Sequence, residues 1–150
     1  MRSGNGTRAP DGRSCPGSEA AGPNGLEISK DGKWLYIGGW GSQSFMRLSR
    51  GQTPIKKDSV PVGFRLDNLR WAPDGALLAA GQGGTAPSQT SNVVKINPAT
   101  LKFQELVRHP DIEGFGVTTV AIQVANELWL GSVCGDRIAI FPFIQSPPLQ

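Results

Sequence analysis

Asp67-Asn68-Leu69-Arg70-Trp71-Ala72-Pro73-Asp74-Gly75-Ala76-Leu77-Leu78-Ala79-Ala80-Gly81 reads as two β-strands joined by a tight turn. Residues 69–71 form a short alternating run. In Pro73-Asp74-Gly75, proline presets φ, aspartate bonds its own backbone, and glycine accepts positive φ. Residues 77–81 are small and apolar, the composition of a strand buried on both faces. Asp67 and Asn68 are β-depleted types, and the expectation is that both stand just before the first strand.

The same arrangement occurs upstream. Pro23-Asn24-Gly25-Leu26-Glu27-Ile28 leads to an Asp31-Gly32 turn and then to Trp34-Leu35-Tyr36-Ile37-Gly38-Gly39. Asn24 precedes Asp67 by 43 residues, and Asp31 precedes Asp74 by the same 43. A weaker third copy spans residues 119–131, with Leu128 lying 51 residues after Leu77. A strand-only period of roughly 40–50 residues is the mark of a β-propeller built from four-stranded blades. The fold expectation is therefore all-β: a partial propeller of about three four-stranded blades.

Working outward, residues 44–49 and 102–107 alternate as strands, and residues 92–96 and 137–142 supply two more. Residues 52–62 supply a turn and an outer strand, which Pro54 and Pro61 confine to a sheet edge. Residues 82–91 read as a long polar loop, a length often tied to function. Residues 1–20 lack periodicity and read as a flexible tail, so residues 21–150 form the propeller region, ended by Pro147-Pro148. No segment reads as a helix. Twenty glycines and 12 prolines in 150 residues fit a chain of many short strands and turns.

Composition narrows the partners. The net charge is +3 with scattered basic residues, and no dense basic face with aromatic platforms points to nucleic acid. No apolar run approaches the ~18 residues of a membrane helix. The two cysteines, Cys15 and Cys134, make no disulfide framework and no Cys/His metal spacing; bridging them requires the tail to fold back. His109, the single histidine, reads as a solvent-exposed loop residue, and Trp40, Trp71 and Phe115 read equally as pocket walls or as packing.

In a propeller, the loops that enter the innermost strands open on one rim of the central hole. Asn24, Asp67, Asn68 and residues 113–119 therefore converge. A carboxylate and two amide carbonyls are hard oxygen donors, suited to Ca²⁺ rather than Zn²⁺. The alternative is that Asn24 and Asp67 only make Asx-turns.

The order of these motifs resembles the six-bladed propellers of the SMP-30/gluconolactonase family, close to the calcium-dependent paraoxonase/arylesterase group and to strictosidine-synthase-like proteins. The likeness covers residues 22–141 and corresponds to the C-terminal part of such a propeller. It implies that Asn24 and Asp67 hold a catalytic divalent metal, Ca²⁺ or another such cation, with Asn68 as a further ligand. It also implies Thr119 and Gln82 as pocket-wall positions and Asp67 as a catalytic candidate. Two positions depart from the family. Its acidic ligand from the first blade has no counterpart before Gly22, and Gln82 stands where the arylesterases carry a histidine. The activity so implied is metal-dependent hydrolysis of a lactone or ester, reduced or absent in this piece. The alternatives are a non-enzymatic propeller that binds a partner and a strictosidine-synthase-like protein. About three blades leave a ring open, so missing N-terminal blades or a homodimer are expected to close it.

Overall fold

The structure, a computed structural model, describes residues 11–143. Eleven antiparallel strands form three sheets, and no helix occurs among the described residues. Sheet 1 contains β1 (Pro23–Ile28), β2 (Trp34–Gly39), β3 (Ser44–Ser49) and β4 (Lys57–Pro61) in that order. Sheet 2 contains β5 (Arg65–Trp71), β6 (Leu77–Gly83), β7 (Thr90–Ile96) and β8 (Phe103–Pro110). Sheet 3 contains β9 (Thr118–Val124), β10 (Glu127–Ser132) and β11 (Ala139–Pro142), three strands among the described residues where four were expected.

Turn chemistry sets these hairpins. In the β1–β2 turn the Ser29 hydroxyl donates to Asp31 Oδ1 at 2.7 Å and the Lys33 N–H donates to the same oxygen at 3.1 Å. In the β5–β6 turn Ala76 N–H donates to Asp74 Oδ1 at 3.2 Å, and Gly75 adopts φ 85°. Each aspartate satisfies a backbone donor that the turn would leave unpaired.

Two apolar seams join the sheets. Tyr36 and Phe45 of sheet 1 pack with Leu66, Leu69, Leu77 and Ala79 of sheet 2. Leu78, Ala80 and Val93 of sheet 2 pack with Ala121, Leu128 and Leu130 of sheet 3. Alternation along β6 feeds one seam from odd positions and the other from even ones, which is why every residue of β6 is buried. Truncating Leu77 or Leu78 to alanine costs about 2–5 kcal/mol.

Three sequence expectations change. Asp67 and Asn68 lie inside β5 rather than ahead of it, as Asn24 lies inside β1. The expected loop over residues 82–91 shrinks to residues 84–89, because β6 runs on to Gly83 and pairs it with Thr90. Thr90 Oγ1 donates to Asn92 Oδ1 at 2.6 Å, so polar side chains that looked loop-like satisfy one another within the strand. Of the stretch read as a flexible tail, residues 15–20 lie against sheet 1: Ala20 packs with Ile37, Met46 and Leu48, and Lys57 Nζ donates to Glu19 O at 2.8 Å. Residues 1–10 and the Pro147-Pro148 terminator lie outside the described residues.

Candidate functional site

The strand at one edge of each sheet, β1, β5 or β9, carries a bulge near its start. In β1 the register shifts between Pro23 and Leu26, in β5 between Leu66 and Leu69, and in β9 at Thr119, opposite the Gly131–Ser132 step. A bulge frees residues from ladder pairing and re-aims their side chains. The freed residues are Asn24 and Gly25, Asp67 and Asn68, and Thr119. Local pairing thus explains how β-depleted asparagine and aspartate stand within strands.

These residues meet. The Asn24 side chain stands beside the Asp67 carboxylate and favours its charged form. Asn68 Nδ2 donates to Asp67 Oδ1 at 3.0 Å and to the Thr119 carbonyl at 3.0 Å, joining sheet 2 to sheet 3. Gly25 makes the first approach possible: a Cβ there would collide with the Asp67 carbonyl oxygen and stand 3.2 Å from Asn68 Cα. Glycine at that position is required by the nearness of the β5 backbone.

Burial pushes the Asp67 carboxyl above its ordinary value, and the Asn24 side chain opposes that rise only in part. No basic side chain is among the influences on it. The site is therefore a half-buried carboxylate ringed by neutral amides and carbonyls. Among the described residues no three His, Cys, Asp or Glu side chains converge on one point, and the carboxylate of this cluster is that of Asp67.

Gln82 is buried on β6 and pairs across the ladder with Ser91, whose Oγ accepts the Thr118 N–H at 3.1 Å. It lies within β6 and is not a residue of a loop. Thr119 contributes its carbonyl, while its hydroxyl lies 3.5 Å from Gly131 O. Phe115 is wholly buried in the seam between sheets 2 and 3, and Trp71 packs edge-on to Tyr36 with centroids 5.6 Å apart, so both serve packing. Trp40 is half-buried under the Arg65 guanidinium at 5.6 Å. His109 is exposed and stacks edge-on with Phe141 at 5.5 Å. Cys15 and Cys134 are free and exposed.

One concavity borders the cluster and another lies away from it. A hollow of about 210 Å³ borders Asn24 and Gly25 and is walled by Cys15, Leu26, Leu35 and Ile37. A wider, shallow groove of about 920 Å³ lies between Arg47, Asp58, Leu101 and Phe103, and none of the cluster residues lines it. Gly25, Ser91 and Thr118 were not singled out from the sequence. The 43-residue offset that pairs Asn24 with Asp67 also pairs Gly25 with Asn68, and this was the signal available for Gly25. No family model matches this sequence, and no curated protein matches it.

Proposed function

We propose that this chain is part of a six-bladed β-propeller of the SMP-30/gluconolactonase type, whose parent is a divalent-cation-dependent hydrolase of lactones or esters. The observation that carries the reading is the contact between repeat-equivalent residues: the Trp71 indole on the Ile28 carbonyl 43 residues earlier, and Asn68 on the Thr119 carbonyl. Contacts between counterparts on successive edge strands are what repeated sheets around one axis produce.

The donor set fits a hard cation. Asp67 offers a carboxylate, and Asn24 and Asn68 offer amide oxygens of the type Ca²⁺ takes at 2.3–2.6 Å. A carboxylate burdened by burial and lacking a basic partner gains most from such a charge. A half-turn of the Asn68 amide exchanges the donor it now presents for an acceptor. A bound cation supplies Lewis-acid polarisation of the substrate carbonyl. Asn24, Asp67 and Asn68 would hold it, and Asp67 is the carboxylate placed to accept a proton from the attacking water.

A second reading, a non-enzymatic binding propeller, draws on Asn68: both N–H groups of its amide are engaged within the protein, as in a structural tie. A strictosidine-synthase-like activity independent of the cation is the third. Calorimetric titration with Ca²⁺ and turnover of lactone and aryl-ester panels separate them. The hydrolase reading expects Ca²⁺ binding that Asp67→Asn abolishes, and Ca²⁺-dependent turnover, weak in this chain. Binding without turnover in the full-length parent favours the second reading, and turnover unchanged in Asn24→Ala favours the third. Neither binding nor turnover overturns the hydrolase.

A further inference from the structure

The groove of about 920 Å³ opens at the edge of sheet 1 opposite to β1. Four consecutive residues of β4, Lys57 to Val60, line one wall, and Thr100 to Phe103 line the other. Successive residues of a strand point to alternate faces, so a wall made of four in a row is the edge of β4 rather than one face of it. That edge is unpaired among the described residues, since β4 bonds only β3. The Ser49 N–H donates to Lys56 O at 2.8 Å and the Val62 N–H to Gln43 O at 2.9 Å, so the even-numbered residues between them bond inward. The N–H and C=O groups of Lys57 and Ser59 therefore point outward, into the groove. The charge there is one-sided. Arg47 and Asp58 pair at 2.7 Å and cancel, and Arg47 also donates to the carbonyls of Pro98 and Ala99 at 3.1 and 2.6 Å, tying the two walls together. Lys57 and Lys102 remain, exposed on opposite walls. Lys57 Nζ donates to the Glu19 carbonyl, a bond that leaves its charge in place, and Lys102 forms no ion pair among the described residues. Phe103, 37% exposed, adds an apolar strip with Val60 and Leu101.

We propose that an extended acidic segment of a partner protein binds in this groove as a fifth strand of sheet 1. Its backbone takes the outward groups of Lys57 and Ser59, its carboxylates meet Lys57 and Lys102, and an apolar side chain between them lies on Val60 and Phe103. Strand addition of this kind draws affinity from main-chain hydrogen bonds and specificity from the side chains at alternate positions. Lysine and proline on a strand edge discourage indiscriminate pairing. Lys57 and Pro61 do so here for ordinary strands, and the lysine becomes an attraction when the incoming strand is acidic. Pro61 lacks an N–H and confines the ladder to the short stretch before it. The chain's own ends do not supply the charge that the groove calls for: residues 1–10 carry Arg2 and Arg8 and no acidic side chain, and residues 144–150 carry no charged side chain. The groove shares no residue with the Asn24-Asp67-Asn68 cluster, so this inference stands apart from the hydrolase reading.

Fluorescence anisotropy with the full chain tests this. The probe is a labelled peptide that alternates glutamate with valine around a central phenylalanine. It is expected to bind, with an affinity that falls several-fold as added salt shortens the screening length below ~10 Å. Lys102→Glu is expected to weaken binding about tenfold. Lys30→Glu, the same charge change at an exposed position outside the groove, is expected to leave the affinity within about twofold. Two further probes are N-methylated at their odd or at their even residues, which keeps the charge and removes the donors of one edge. One of the two is expected to lose binding about tenfold, since only one edge of the peptide can join β4. Absence of binding by the unmethylated probe overturns the proposal. So does full binding by both methylated probes, equal binding by a probe with lysine in place of glutamate, or an equal loss in Lys30→Glu. Displacement of the probe by hexanoate overturns it too, and makes the groove a site for small carboxylates.

Discussion

The indole N–H of Trp71 donates to the carbonyl of Ile28 at 3.1 Å, and Ile28 stands 43 residues earlier in the chain. Trp71 thus bonds its own counterpart from the preceding repeat. The same offset relates Arg70 to Glu27, 3.6 Å apart, and Asp67 to Asn24. Strands β1 and β5 lie side by side in the phase of the repeat, so a sequence period becomes a set of physical contacts.

Replacing Trp71 by phenylalanine keeps an aromatic ring beside Tyr36 and removes the donor. The Ile28 carbonyl loses its partner, and the expected loss of stability is about 1 kcal/mol. Trp71→Ala also removes the ring and is expected to cost about 3 kcal/mol. Urea unfolding of the two variants separates these contributions. Equal stability of the phenylalanine variant and the natural chain shows that packing alone holds the seam.

Gly25→Ala places a methyl group against the Asp67 carbonyl oxygen, which belongs to the backbone and cannot rotate away. Overpacking of this kind costs about 2–3 kcal/mol. Because the displaced atoms carry the Asn24–Asp67 contact, Ca²⁺ affinity is expected to fall with stability. Gly12→Ala, where a Cβ meets nothing within 4 Å, is the control. Thermal melts and calorimetry on both variants give the comparison, and a Gly25→Ala protein as stable as the control contradicts the close approach.

The hairpins were legible because turn residues act locally. Asp31-Gly32 and Pro73-Asp74-Gly75 announce themselves through short-range bonds, strands β2 and β6 follow from apolar runs beside them, and β3 follows from its alternation. The bulges were not legible. Asp67 and Asn68 have poor strand propensity, and a reading residue by residue puts them before the strand. Their place inside β5 is set by contacts to Asn24 and Thr119, residues 43 and 51 positions away, so tertiary contact overrode propensity. The convergence itself was readable from the period, since equal offsets bring equivalent residues together. The β6–β7 loop was overestimated for the same kind of reason: Gly83 and Thr90 look loop-like singly, but they pair with each other, and Thr90 also bonds Asn92 in the strand that follows.

Asp74 does more than close its turn, since its second oxygen pairs with Lys95 on β7, whose side chain is 13% exposed. Burial tends to raise the Asp74 carboxyl, but the Lys95 hydrogen bond and the Ala76 N–H outweigh it, and the net shift is downward. A depressed carboxyl stabilises the fold above its unfolded value of 3.8 and loses that contribution as the pH falls through the folded value. Asp74→Ala is expected to cost about 1 kcal/mol near neutrality, a figure kept small by the exposure of the aspartate. The gap between variant and natural chain closes in acid. A pH series of urea midpoints checks this, and a gap that persists well below pH 3.8 assigns the loss to the turn rather than to the ion pair.

Asp67 carries the opposite sign. Burial raises its carboxyl, and Asn24 only partly restores it, so the folded chain holds the proton more firmly than the unfolded one. The group's contribution is fully present below the unfolded value of 3.8 and is lost as the pH rises through the folded value. In the presence of a chelator, Asp67→Asn is therefore expected to melt about 2 °C higher than the natural chain near neutrality, a shift of less than ~1 kcal/mol at this size. The two melt together in acid, where neither carries the charge. Calcium reverses the order at neutral pH. A cation held by Asp67 stabilises the natural chain by about 2.7 kcal/mol when its concentration is about 100 times Kd, and it leaves the amide variant unmoved. Scanning calorimetry with chelator and with calcium, at acid and neutral pH, reads all four cases. A natural chain whose melting point ignores calcium, while Asp67→Asn still stabilises it at neutrality, leaves Asp67 as a buried liability of the bulge and removes the cation from the site.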